Sequence, residues 1–97
     1  MDQLIISVAV LIKLCQKHQV SRLEVEQCFQ NKSGRLLYDT RESHKTDPPT
    51  LWFIASTHKG RWLKIVYIQI NEVLYLKTAY EPNDVEIKLY KTYGWPS

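Results

Sequence analysis

The spacing of apolar residues near the start of the chain predicts a helix. Val8, Ile12 and Cys15 recur at helical intervals with lysines and glutamines between them, and this helix is predicted to end near His18. Residues 2–6 just before it are apolar enough to form a short strand instead, so the first element stays open at this stage. The longest apolar run is nine residues, which is too short to span a bilayer.

A second helix is marked by its start signal. Ser21 and Glu24 have the spacing of a capping box, and Val20 and Val25 flank it as a hydrophobic staple. In this helix Cys28 is predicted to point inward, as Cys15 is in the first. Both thiols are therefore interpreted as small buried groups rather than as nucleophiles or a disulfide.

From Arg35 onward the pattern changes to short apolar runs separated by turn residues, which predicts a meander of about four antiparallel strands. The predicted strands cover residues 36–38, 51–56, 62–70 and 73–79. The turn at 57–60 contains Gly60 at a position that favours positive φ. Trp52 and Trp62 lie on neighbouring strands as candidate cross-strand partners.

The chain closes with a helix that Pro82 is predicted to open as its first helical residue. Val85, Leu89 and Tyr93 form its predicted inward stripe. The fold class is therefore α+β, with two N-terminal helices, the antiparallel sheet and a C-terminal helix, all in one domain over residues 1–97. We expect the helices to lie on one face of the sheet and to leave a basic face partly open.

Charge is distributed unevenly. The net charge is +3, yet residues 32–64 alone carry seven cations and three carboxylates, so the surplus lies in the middle third. Such a distribution suits an anionic partner, either RNA or an acidic protein. The apolar content of 44% excludes a disordered chain, and two cysteines exclude a disulfide-rich scaffold. The reducing cytoplasm is the expected compartment.

The densest group of reactive side chains is the segment 41–47. RNA cleavage through the 2′-hydroxyl needs a base, a cation for the phosphorane charge and an acid for the leaving oxygen. His44 could act as the base or the acid, and Arg41 or Lys45 could stabilise the charge. The alternative is a solvated loop whose charges are incidental.

A second group of candidates lies on the predicted strands. Arg61 and Lys64 are candidate catalytic cations, although their spacing of three places them on one face only if the strand twists or bulges. Tyr80, at the end of a strand, is a weaker candidate acid or base. Lys59, Lys77 and Trp62 are predicted RNA-binding residues. Trp62 could stack on an RNA base or, as the alternative, pack in the core. Lys77 could bind RNA or, as the alternative, be an edge or solvent-face charge that prevents aggregation of the sheet.

No metal or cofactor is expected, because no ligand spacing and no glycine-rich phosphate loop occurs in the chain.

Taken in order, several short motifs resemble the BrnT family of bacterial type II toxins, which are RelE-like ribonucleases. The residues 17–21 (KHQVS) resemble the family's KHGVS-type turn, and the acidic helix that ends in Phe29 follows it. The strands at 51–67 (from LWFIA to GRWLKIVY) and 76–80 (LKTAY) resemble the family's sheet. The helix with Glu86 and Tyr90 resembles its ERxxY-like ending.

The resemblance implies a RelE-like fold, cleavage of mRNA without a metal, and neutralisation by a DNA-binding antitoxin of the BrnA type in a higher-order complex. The family's strand arginine falls on Tyr80 here and its serine on Thr78. Because that arginine is replaced, two alternatives stay open: a non-catalytic binding module, and a degenerate toxin that retains only antitoxin or RNA binding.

Overall fold

The computed structural model describes residues 3–39 and 48–95 of the chain as a small α+β domain. The elements in chain order are β1 (Gln3–Ile5), α1 (Val8–Lys13) continued by a π-helix (Leu14–His18), α2 (Arg22–Gln30), β2 (Leu37–Tyr38), β3 (Thr50–Ser56), β4 (Trp62–Ile70), β5 (Val73–Tyr80) and α3 (Asp84–Tyr93). Across these two stretches of chain, none of the helices has the length and apolar character needed to cross a bilayer.

The strands form one mixed sheet in the order β1-β5-β4-β3-β2. Strands β2 to β5 make an antiparallel meander, as the pattern predicts. The prediction of about four antiparallel strands is wrong at one edge, because β1 adds a fifth strand that runs parallel to β5. Residues 2–6 are too short for periodicity to separate strand from helix, and long-range pairing decides the outcome.

Helix α2 begins at the predicted capping box and covers one face of the sheet. The Ser21 hydroxyl accepts a hydrogen bond from the backbone N–H of Glu24 at 3.2 Å, and the Glu24 carboxylate accepts one from the backbone N–H of Ser21 at 3.0 Å. Cys28 is fully buried, as predicted. Phe29 packs edge-on against Phe53, with ring centroids 5.1 Å apart, and so joins the helix to β3.

Helix α3 packs on the opposite face of the sheet, so the prediction that all helices share one face is wrong. Tyr90 is fully buried there, and its ring lies 5.7 Å from that of Trp52 in β3. Its hydroxyl donates to the backbone carbonyl oxygen of Arg35 at 2.7 Å. Residues opposite one another in antiparallel strands share a face, which places Lys64 and Tyr80 on the side that α3 covers.

The start and the inward face of α3 also differ from the prediction. Asn83 is the N-cap, so Pro82 precedes the helix instead of opening it. The residues predicted to be buried are exposed: Val85, Leu89 and Tyr93. Ile87 and Tyr90 pack against the core in their place. Because α3 has apolar residues on both sides, its sequence does not decide which side is buried. The side that packs on the sheet is the one that also carries Glu86.

The helix after β1 changes from α to π geometry at Leu14. The inward side of this helix carries Val10 and Leu14, whereas Val8, Ile12 and Cys15 of the predicted stripe are all exposed. The prediction that Cys15 points inward is therefore wrong, because packing against the sheet selects the side with Val10 and Leu14. The segment ends at His18 as predicted, and Gln19 closes it with a left-handed backbone (φ 51°).

The two hairpins match their predicted turns. Gly60 adopts φ +83° in the turn between β3 and β4, a conformation that favours glycine. A register shift lies between β4 and β5: Thr78 pairs with Val66 and Leu76 pairs with Tyr67, which leaves Lys77 as the extra residue of a bulge. The predicted cross-strand pair of Trp52 and Trp62 does not form, because Trp52 pairs with Val66 and Trp62 with Ser56.

Candidate functional site

Three side chains from three elements meet on the sheet face beneath α3. The Nζ of Lys64 in β4 lies 2.6 Å from the Oε2 of Glu86 in α3, and the hydroxyl of Tyr80 in β5 donates to that same oxygen at 2.7 Å. Lys64 Nζ also lies 4.5 Å from the centroid of the Trp52 ring. We call these three residues, Lys64, Tyr80 and Glu86, the acid–base cluster.

Strand register and helix capping together build the acid–base cluster. Lys64 pairs with Tyr80 across β4 and β5, so both side chains project from adjacent positions on one face. Glu86 is the third residue of α3, where its Oε1 accepts a hydrogen bond from the backbone N–H of Asn83 at 3.0 Å in a second capping box. Its other oxygen therefore points back to the end of β5.

The environment of Glu86 keeps its carboxyl ionised. Burial by itself raises the pKa of Glu86, but hydrogen bonds from Lys64, Tyr80 and the Asn83 N–H outweigh this effect, and the net pKa lies below its ordinary value. The side chains of Lys64 and Glu86 are only 6% and 13% exposed. The cluster therefore holds a cation, an anion and a phenol close together with little water around the ion pair.

Arg61 lies just before β4, and its side chain links the start of that strand to the end of the π-helix, to α2 and to the segment after β5. Its guanidinium donates to the carboxylates of Glu24 and Glu81 at 3.0 and 2.9 Å, and to the backbone carbonyl oxygens of Gln19 and His18 at 2.7 and 3.0 Å. Burial by itself lowers the pKa of Arg61, but the hydrogen bonds and charges of the two carboxylates outweigh this effect, and the net pKa lies above its ordinary value. The charge of Arg61 is thus matched within the fold.

The structure brings together some of the predicted site residues and separates others. Lys64 and Tyr80 meet, and Arg61 lies apart from them in its own network. Lys59 is exposed in the β3–β4 turn and Lys77 is exposed at the bulge. Trp62 is 51% exposed. The remaining three predictions lie outside the described residues: Arg41, His44 and Lys45.

The sequence did not indicate the part played by Glu86, which was named only in the helix that resembles the family's ERxxY-like ending. The spacing of Asn83 and Glu86 is that of a capping box, as for Ser21 and Glu24. Such a box directs one carboxylate oxygen back to the start of the helix, where β5 ends. That signal was present, but the partners on β4 and β5 follow only from the sheet register.

We expect the two thiols to differ strongly in reactivity. Cys15 is exposed, whereas Cys28 is buried against the backbone oxygen of Ala55, and burial raises the pKa of the Cys28 thiol to about 12. A thiol reagent should modify one cysteine per folded chain and two per unfolded chain, as counted by mass spectrometry. With Cys15→Ser as control, modification of the folded chain should vanish. Equal labelling of both thiols in the folded chain would contradict the assigned burial.

Among residues 3–39 and 48–95, the structure places no group of three or more His, Cys, Asp or Glu side chains where they could hold a metal ion. Comparison of the chain with protein-family models, with curated proteins and with solved structures gives no match. The likeness to BrnT toxins therefore still rests on the motifs of the sequence alone, and the function has to be argued from the geometry of the acid–base cluster.

Proposed function

We propose that the chain is a RelE-like endoribonuclease, the toxin of a bacterial type II toxin–antitoxin pair. It would act in the cytoplasm on mRNA, without a metal, and a BrnA-like DNA-binding antitoxin would neutralise it. The order of the motifs along the chain supports this proposal. So does the α+β architecture, in which helices pack on a sheet that is mostly an antiparallel meander.

The observation that carries the proposal is the convergence of Lys64 and Tyr80 on one oxygen of Glu86. Metal-independent cleavage of RNA needs a positioned proton donor and a cation close to the phosphate that reacts. Tyr80 supplies the first and Lys64 the second. Glu86 positions both groups by accepting a hydrogen bond from each on the same oxygen, and Tyr80 regains its proton from solvent after the reaction.

In the proposed reaction the 2′-oxygen forms a bond to phosphorus and the bond from phosphorus to the 5′-oxygen breaks. Tyr80 gives its proton to the departing 5′-oxygen, and Lys64 stabilises the negative charge of the phosphorane. The base that takes the 2′-hydroxyl proton is the role predicted for His44. The products are a 2′,3′-cyclic phosphate and a 5′-hydroxyl.

A second candidate function is a non-catalytic binding module, and one specific observation favours it. The charge of Lys64 is matched by Glu86, and that of Arg61 by Glu24 and Glu81. A cation already paired within the fold stabilises a phosphorane less than an unpaired one. A chain with this site could therefore bind RNA or an antitoxin without cleaving RNA.

Expression of the chain without an antitoxin separates the two functions. We expect induction in a bacterial host to arrest growth, with mRNA lost before growth stops. Tyr80→Phe removes only the hydroxyl and should relieve the arrest. Tyr75→Phe is the matched control, because Tyr75 is an exposed tyrosine on the same strand; this variant should remain toxic.

Normal growth with soluble, folded chain in the cell would contradict the ribonuclease proposal and favour the binding module. Equal toxicity of Tyr80→Phe and the original chain would leave a toxin whose mechanism does not use the acid–base cluster. Thermal unfolding of each purified variant shows whether a loss of toxicity comes from a loss of folding.

A further inference from the structure

An open cavity lies between the start of β4 and the end of α3, beside the acid–base cluster. Its volume is about 430 Å³, within the usual range of about 300–1,000 Å³ for small-ligand sites. Five residues line it, and we call it the tryptophan slot: Ile54, Trp62, Ile87, Lys91 and Trp95. Apart from Lys91, all of these side chains are apolar or aromatic.

Two indole rings form the walls of the tryptophan slot. Trp62 and Trp95 pack edge to face, with centroids 5.4 Å apart. Trp95 in turn packs edge-on against Tyr90, which is fully buried, so one wall is held in place by the core. About half of the Trp62 surface is exposed, which leaves ring area available for stacking.

The slot lies next to the acid–base cluster. Ile54, which lines the slot, pairs across the sheet with Lys64, and Ile87 follows Glu86 in α3. Buried aromatic contacts also run from Trp95 through Tyr90 and Trp52 to Lys64, so the slot wall and the cluster share one packed core. A ligand in the slot would therefore lie beside the groups proposed to act on the phosphate.

Lys91 lines the slot, and the chain segments next to it carry further positive charge. The segments 31–35, 56–62 and 88–95 contain no Asp or Glu. They carry five exposed cations, of which Lys32 also lines a pocket on the α2 side of the sheet: Lys32, Arg35, Lys59, Lys88 and Lys91. The first segment lies against the slot, because Arg35 N–H donates to the carbonyl oxygen of Gly94 at 2.8 Å and a Cβ at Gly34 would come within 3.0 Å of Trp95. None of these five cations takes part in the four ion pairs that the structure shows among residues 3–39 and 48–95.

From these observations we infer that the tryptophan slot binds an unpaired base of single-stranded RNA, while the surrounding cations bind the phosphates on either side. Aromatic rings within a basic groove are the usual arrangement for binding single strands. Among the side chains that line the slot, only the Lys91 ammonium and the two indole N–H groups can form hydrogen bonds, and all of these are donors, so we expect binding to be tolerant of base identity. The inference rests on the proposed function for its substrate class and adds where that substrate is held.

Binding of a strand that cannot be cleaved tests the slot directly. The probe is a fluorescent 2′-O-methyl oligonucleotide of eight residues, in oligo-A and oligo-U forms, followed by anisotropy. Trp62→Ala should weaken binding by about 5- to 150-fold, the loss expected for one base–aromatic stack. Tyr38→Ala is the matched control, because Tyr38 is an exposed aromatic residue on the distant edge strand β2; it should bind normally.

An abasic oligonucleotide of the same length should bind more weakly than either probe, and Trp62→Ala should not weaken it further. Equal binding of abasic and normal probes, or no effect of Trp62→Ala, would overturn the inference. If an acidic peptide competes as well as unlabelled oligonucleotide, the slot is a protein-binding site and the inference also fails.

The test is separate from that of cleavage, because Tyr80→Phe should bind the probe like the original chain. If the original chain cleaves RNA but does not bind the probe through the slot, only the slot inference fails. If the original chain binds the probe through the slot but cleaves no RNA, only the ribonuclease proposal fails.

Discussion

Replacing Lys64 with methionine is expected to destabilise the domain by about 3 kcal/mol at neutral pH, because it leaves a nearly buried carboxylate without its cation. For a domain of about 100 residues this corresponds to a fall in Tm of roughly 12–24 °C. The ammonium of Lys64 also contacts the Trp52 ring, which methionine can still cover with its apolar chain. The measurement is thermal or denaturant unfolding of the purified variant.

Two further variants make this result specific to the buried pair. Glu26→Gln breaks the pair with Arg22, whose side chains are 41% and 46% exposed, and should cost under about 1 kcal/mol. Adding Glu86→Gln to Lys64→Met removes the unpaired charge and should recover much of the lost stability. Equal, small losses for Lys64→Met and Glu26→Gln would show that the Lys64–Glu86 pair is solvated like a surface pair.

The same pair gives the stability of the domain a defined pH dependence. The pKa of Glu86 is lower in the folded chain than its ordinary value of 4.5. A group of this kind contributes stability above its unfolded pKa and loses it as the pH falls through the folded pKa. Stability should therefore fall as the pH drops below about 4.5. The fall should be shallower in Lys64→Met, because Glu86 has lost its cation there, whereas Glu24, whose pKa is also lowered, still pairs with Arg61.

Replacing Arg61 with alanine is expected to destabilise the domain by about 2 kcal/mol, because hydrogen bonds to charged groups are worth roughly 1.5–3 kcal/mol each and their losses do not add. Loss of the guanidinium leaves Glu24 and Glu81 without their shared cation and the carbonyl oxygens of His18 and Gln19 without their donor. Denaturant unfolding measures the loss, and hydrogen exchange at residues 18–20 shows whether the end of the π-helix loosens.

Lysine at position 61 should restore less than half of the stability lost in Arg61→Ala, because a single ammonium cannot serve acceptors on four sides as a planar guanidinium does. Lys59→Ala is the control, since Lys59 is exposed in the adjacent turn and should change stability little. Full rescue by lysine would mean that charge alone, rather than the geometry of the hydrogen bonds, holds this junction together.

Local signals predicted the parts of the fold that depend on local chemistry. The capping box at Ser21 and Glu24 places the start of α2, and positive φ at Gly60 places the β3–β4 turn. The apolar run at residues 73–79 predicts a strand, and β5 covers Val73–Tyr80. In each case the residues that determine the structure lie within a few positions of one another.

Features that depend on distant partners were not predictable in this way. Strand β1 exists because it pairs with β5, about 70 residues away. The inward face of α3 is the one that carries Glu86 to Lys64, so a buried polar contact selects it over a stripe that includes Val85 and Leu89. The inward side of the first helix is likewise the one with Val10 and Leu14, which leaves Val8, Ile12 and Cys15 exposed.

The candidate site also combines features that the sequence indicates with features that depend on distant contacts. Lys64 and Tyr80 stood out in the sequence by residue type, but their shared partner Glu86 follows only from the register of β4 with β5 and the start of α3. Arg61 stood out for its charge, yet the fold uses that charge to join helices and strands. Residue type alone thus indicates candidate residues, but only the contacts of each side chain in the fold show whether it is available to act on a substrate.

The most direct test of the account is the fate of a defined mRNA incubated with the purified chain, both alone and in a translating cell-free extract. We expect cleavage in at least one setting, leaving a 2′,3′-cyclic phosphate and a 5′-hydroxyl. Tyr80→Phe should be slower by about 10²- to 10⁴-fold, the usual contribution of a general acid. An mRNA that stays intact in both settings, with the chain folded, would contradict the ribonuclease proposal and leave the binding module as the function.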